Sequence, residues 1–115
     1  MRHVLAATVA LAAVVAAAVP TPAEASMSSA WRTRNTGLDS DGKCTRRAFN
    51  AMKAANLDAK ASGNQGVYGA NRDTIAYAIC QNNGGFVTIF CASDRPNSGN
   101  YTTQVCDTVS RFMEK

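Results

Sequence analysis

The sequence predicts an α+β domain: an antiparallel sheet with two helices on one face, in the order β-α-β-β-β-α, held by two disulfides. Three observations carry this expectation. The stretch from Thr74 to Ala92 reads as a β-hairpin closed by Asn82-Asn83-Gly84-Gly85, with Cys80 on one arm and Cys91 on the other. Two further segments place apolar residues at helical spacing, and each carries one of the remaining cysteines, Cys44 and Cys106. The residues before Ser26 have the composition of an export signal rather than of a folded unit.

That N-terminal segment begins with Arg2 and His3 and continues as an Ala/Val/Leu run from Val4 to Val19, broken only by Thr8. Pro20 and Pro22 end the run, and Ala23-Glu24-Ala25 fits the small-x-small cleavage rule. The run is shorter than the roughly 20 apolar residues needed to span a bilayer. Residues 1–25 are therefore read as a secretory signal peptide and residues 26–115 as a single small domain, secreted or periplasmic, with no membrane span after cleavage. A domain of this size has a thin core, and small exported domains commonly add disulfides.

Composition narrows the chemistry. The net charge of +4 survives cleavage, because Arg2 and Glu24 leave together. It is read as ordinary solubility charge, although an anionic envelope polymer would also suit it. The only histidine is His3, inside the signal peptide, so the mature chain has no Ser-His-Asp triad, no Cys-His dyad and no histidine metal ligand. No cofactor or metal is implied. Asp39-Ser40-Asp41-Gly42 resembles a fragment of a calcium loop, but Gly37 and Ala48 stand where its anchors would be; helix capping explains it.

Along the domain, Trp31 to Thr36 alternates in type and reads as an edge strand, with its charges toward solvent and Trp31 and Thr33 toward apolar surface. Ser40 or Asp41 caps a helix that is expected from Asp41 to Ala59. Cys44, Ala48, Ala51, Met52 and Ala55 form its buried stripe. Arg46, Lys53 and Lys60 line its other side as a basic stripe, read as a solvated face; nucleic-acid binding would need a stronger basic and aromatic footprint. Gly66-Val67-Tyr68-Gly69 is a short strand. Asp94 to Asn100 is a polar loop, and Tyr101 to Met113 is a closing helix with Tyr101, Val105, Cys106, Val109, Phe112 and Met113 on its apolar face.

The hairpin register follows from its loop. If Gln81 pairs with Phe86, Cys80 opposes Val87, Ala78 opposes Ile89 and Ala76 opposes Cys91. Both cysteines then share a face, which is the helix-covered one. Four cysteines allow three pairings. Cys80 and Cys91 are too far apart in this register for a bridge, which requires Cα atoms within about 7 Å. Cys44–Cys80 with Cys91–Cys106 is favoured, each helix tied to one arm; Cys44–Cys91 with Cys80–Cys106 is also geometrically allowed.

The opposite face of the hairpin carries Ile75, Tyr77, Ile79, Phe86, Thr88 and Phe90. The open side of such a sheet is normally polar. An apolar, aromatic one is either an interaction site or is covered by the chain's own segments, here Trp31, the N-terminal residues or the 94–100 loop. Asp73 and Asp94 face each other at the far end of the arms beside Arg72 and Arg95. Close carboxylates can share a proton, but flanking arginines more simply neutralise them.

A signal peptide followed by Trp31, Cys44, an Ala-rich helix, Gly66-Val67-Tyr68-Gly69, a strand ending in Cys80, a Val/Ile/Phe strand and an amphipathic closing helix resembles a group of small exported bacterial proteins of uncharacterised function. The resemblance implies an α+β fold and a Cys44–Cys80 bridge, with Cys91 and Cys106 as an added pair that bond each other. It brings no activity and no catalytic residues. The functional expectation is an exported, disulfide-stabilised, non-catalytic binding domain that meets a protein or envelope component through Ile75, Tyr77, Ile79, Phe86 and Phe90. A homodimer through the same face is also allowed. Alternatives are an inhibitor of a secreted hydrolase using the 94–100 loop, and a small enzyme built on Asp73, Asp94 and Arg95.

Overall fold

The computed structural model describes residues 28–94 and 99–114. The signal-peptide reading and the tip of the 94–100 loop, including Arg95, lie outside the described residues.

The strands are β1 (Ser28–Asn35), β2 (Asp58–Ser62), β3 (Gly66–Ala70), β4 (Thr74–Gln81) and β5 (Phe86–Ser93); the helices are α1 (Asp41–Ala54) and α2 (Gly99–Met113). All strand pairings are antiparallel, in the order β1-β5-β4-β3-β2. The hairpin β4–β5 is thus the centre of the sheet, and β1 and β2 are its edges. Its register is the expected one, with Gln81 opposite Phe86, Cys80 opposite Val87 and Ala76 opposite Cys91. Asn82 and Asn83 take positive φ values of 53° and 55° and Gly84 one of 84°, so the loop is built from the residues that tolerate left-handed backbone.

Both helices cover the same face. Val67, Ala76, Ala78, Cys80, Val87, Ile89 and Cys91 point into the core with Cys44, Ala48, Ala51 and Met52 from α1 and Val105, Cys106, Val109 and Met113 from α2. Gly69 of β3 allows the close approach of α1 and the residues just after it: a Cβ there would come within 2.8 Å of Leu57 and 3.0 Å of Met52. The disulfides are Cys44–Cys80 and Cys91–Cys106, one bolting each helix to one arm of the hairpin. This is the favoured pairing.

The predicted order holds with one strand added. The spacing predicts a first helix running to Ala59; it ends at Ala54. Asn56 adopts φ 60°, its N–H bonds the Lys53 carbonyl, and the Leu57 N–H bonds the Met52 carbonyl. This is a Schellman stop, with Asn in the left-handed position usually held by Gly and apolar Leu57 packed just beyond it. The chain then turns back as β2, pairing Ala59 with Gly69 and Lys60 with Tyr68. Lys60 therefore does not extend a stripe with Arg46 and Lys53; it lies on a strand.

Two side-chain orientations also differ from expectation. Arg32 and Arg34 lie on the helix side of edge strand β1, opposite Ile89 and Val87, where the Arg32 Nε donates to Asp107 Oδ1 of α2 at 2.8 Å. Phe112 is not on the buried face of α2 but 47 % exposed, while Thr102 and Ser110 are buried. At the other end of the core, Ser40 is the cap of α1, its Oγ accepting from the Lys43 N–H. The Lys43 ammonium bonds Asp39, and this hydrogen bond, then the charge, holds the Asp39 carboxyl below its ordinary range.

Candidate functional site: the open face of the sheet

Strand alternation sends every second side chain to the face that carries no helix. The inter-strand registers arrange these side chains in rows. The central row runs Lys60, Tyr68, Tyr77, Phe90, Trp31, one residue from each of the five strands. On one side of it lie Ala70, Ile75, Ala92 and Ser29; on the other lie Gly66, Ile79, Thr88 and Thr33. Four aromatic rings thus stand in one line across four adjacent strands, outside the core.

The predicted residues Ile75, Tyr77, Ile79, Phe86 and Phe90 all belong to this face. Ile75 and Ile79 are 43 % and 42 % exposed; Tyr77, Phe86 and Phe90 are half-buried by their neighbours. Phe86 stands at the turn end, opposite Gln81 and Asn35, away from the central row. Trp31, weighed from sequence as a lid, is part of the face itself. Its ring meets Phe90 edge-on at a centroid distance of 5.0 Å and an interplanar angle of 65°, yet Trp31 remains 63 % exposed. The arrangement satisfies the ring quadrupoles while leaving one face of the indole for contact. Among the described residues no segment crosses this face.

Tyr68 was missed from sequence. Its signal was present in the alternation of Gly66-Val67-Tyr68-Gly69: Val67 is in the core, so Tyr68 must point the other way, beside Tyr77. Tyr77 is held by its hydroxyl, 2.7 Å from Ser62 Oγ. Its ring lies over Gly66, where an added Cβ would come within 2.9 Å of the phenolic oxygen. A glycine is required there because the Ser62 carbonyl, 2.6 Å from such a Cβ, and the tyrosine together occupy the space. Beyond it opens a shallow polar recess of about 500 Å³ lined by Tyr77, Ile79, Ser62, Asn64 and Gln65.

Charge is almost absent. The open-face residues of β1, β3, β4 and β5 include no acid and no base; the charged residues of this face, Asp58 and Lys60, are both on edge strand β2.

Asp73 and Asp94 do meet at the opposite end of β4 and β5, where the Asp94 N–H donates to the Asp73 carbonyl at 3.0 Å. With Arg72 and Thr74 they line a depression of about 280 Å³. The local chemistry is that of a turn. The Asn71 side-chain oxygen accepts from the N–H groups of Asp73 and Thr74, and the Thr74 hydroxyl donates to Asp73 Oδ1 at 3.1 Å. Among the described residues no cluster of His, Cys, Asp or Glu could hold a metal ion, and no helix is long and apolar enough to cross a membrane. No protein-family model matches this chain, and no curated protein matches it at a significant level.

Proposed function

We propose that the protein is an exported, disulfide-stabilised binding domain that works through the open face of its sheet, without catalysis. The observation that carries this is the aromatic row Tyr68–Tyr77–Phe90–Trp31 on a face that no described element covers. Complete burial of a large apolar side chain contributes roughly 1.5–3 kcal/mol, and Trp31, Ile75 and Ile79 each leave part of that unrealised in water. A sheet with no use for that face would carry polar residues there. Two disulfides fit an oxidising compartment, and the Val4–Val19 run with Ala23-Glu24-Ala25 supplies a route to it, into the periplasm or beyond the cell. The partner is a neutral, apolar surface of a protein.

The test is capture from native culture supernatant or periplasm on the immobilised oxidised protein, repeated with Trp31→Ser and Ile75→Lys. Trp31 is mostly exposed and Ile75 partly so, and neither reaches the core, so the fold should survive, as circular dichroism would verify. Loss of the captured species with both variants supports the reading. Unchanged capture with both overturns it.

A further inference from the structure

Resting on that reading, we propose that the partner of the open face is a second copy of this chain, packed sheet against sheet about a two-fold axis that runs along the strands between β4 and β5. Three observations converge on it. The first is electrostatic. The chain carries +4, so two copies repel, and least where the contact surface itself adds no charge. The open face of β1, β3, β4 and β5 is that surface, with no charged residue. An anionic polymer, which the net charge alone would suit, finds no cation there except Lys60 at the β2 edge.

The second is self-complementarity. The proposed two-fold lays β4 of one copy over β5 of the other with the rows preserved, so each residue of β4 meets the residue that is its lateral neighbour in its own sheet. The large side chains of β4 then fall on small ones of β5: Ile75 over Ala92 and Ile79 over Thr88. In the central row Tyr77 falls over Phe90 and, one strand further out, Tyr68 over Trp31. Gly66 of β3 falls over Thr33 of β1. Sheets packed face to face lie about 10 Å apart and within about 30° of parallel, so the pairs nearest the axis, Tyr77–Phe90 above all, are the closest. Lys60 and Asp58 project beyond the partner's β1 to the solvated rim, where charges belong in an interface.

The third is size. The four strands that overlap, at about 4.8 Å spacing and with some 20 Å of strand length, offer on the order of 400 Å² of projected sheet per copy. That is about 800 Å² for the pair, below the roughly 1,200 Å² of a stable interface, so the dimer is weak and reversible rather than obligate.

The experiment is sedimentation equilibrium of the purified oxidised protein over about 1–500 µM, a range that brackets the affinity of a small interface, with Trp31 emission recorded at each concentration. The expected result is a monomer–dimer equilibrium with a blue shift of Trp31 emission as dimer forms. Ile75→Lys, which places two new charges across the axis, should shift it at least tenfold toward monomer, and Ile79→Lys should do the same. Dimers that persist in both variants would mean that association uses another surface, and would overturn the proposal. A monomer at every concentration overturns it too. In that case, capture lost with Trp31→Ser and Ile75→Lys would leave the binding reading standing with a different partner, whereas capture that both variants retain would remove both.

Discussion

Trp31 and Phe90 meet edge to face across the β1–β5 pair, on the side of the sheet away from both helices. The contact belongs to neither the core nor the helix layer. It makes edge strand β1 part of the apolar face rather than a cover for it. A double-mutant cycle with Trp31→Ala and Phe90→Ala, read by urea denaturation, should return a coupling of about 0.5–1.5 kcal/mol. Trp31→Ala alone should cost little more than this, because the indole is mostly exposed. A much larger loss would mean that Trp31 supports the fold rather than presenting a surface.

The two disulfides should differ in weight. Cys44–Cys80 spans 36 residues and Cys91–Cys106 spans 15. Loop-closure entropy then predicts about 4 kcal/mol lost on replacing the first pair by alanine and about 3 kcal/mol for the second. Urea midpoints of the two double variants test the order. The reverse order would show that native packing around Cys106, not the unfolded chain, dominates.

Gly84 should be the least replaceable residue of the hairpin loop. Its φ is 84°, and a Cβ there would collide with the carbonyl of Ser40, the residue that caps α1. Its own carbonyl accepts from the buried Thr36 hydroxyl. Gly84→Ala should therefore cost at least about 3 kcal/mol, combining backbone strain with overpacking. Gly42 is the control: a Cβ there meets nothing within 4 Å, and Ala should be neutral or stabilising by up to about 1 kcal/mol. Thermal denaturation of the two variants gives the comparison.

Tyr77→Phe removes the bond to Ser62 Oγ but keeps the ring over Gly66. A loss of about 1 kcal/mol is expected, with self-association retained. Gly66→Ala should be worse, since the new methyl group meets both the Ser62 carbonyl and the phenol.

Asp39 provides the pH prediction. Lys43 lowers its pKa in the folded protein, so its contribution to stability is present above the unfolded value and is lost as pH falls through the folded one. The pair is fully exposed, so the effect on unfolding should be small. An NMR titration is the direct measurement: Lys43→Gln should move the Asp39 midpoint upward toward an ordinary aspartate.

Much of the site was legible because strand parity is rigid. Once Gln81 was set opposite Phe86, the facing of Ile75, Tyr77, Ile79 and Phe90 followed, and so did the shared face of Cys80 and Cys91. The helix stop at Asn56 was harder to read. An Ala-rich run supports helix on propensity alone, and the left-handed Asn that ends it is decided by Leu57 packing against β3. Missing that stop hid β2, and with it the position of Lys60 at the end of the aromatic row.

Local and periodic features are readable along the chain alone: the hairpin and its register, the cysteine-bearing faces of the two helices, and the apolar character of one sheet face. Each depends only on spacing along one or two neighbouring segments. Whatever depends on strand order emerges only in the folded sheet. Placing β1 beside β5 and β3 beside β4 brings Trp31 and Tyr68 into line with Tyr77 and Phe90. Residues 31 and 68 are distant in sequence, and no local pattern relates them. They share a row because the sheet must bring its central hairpin between two further strands to bury the core on one side, and the other side inherits the alignment.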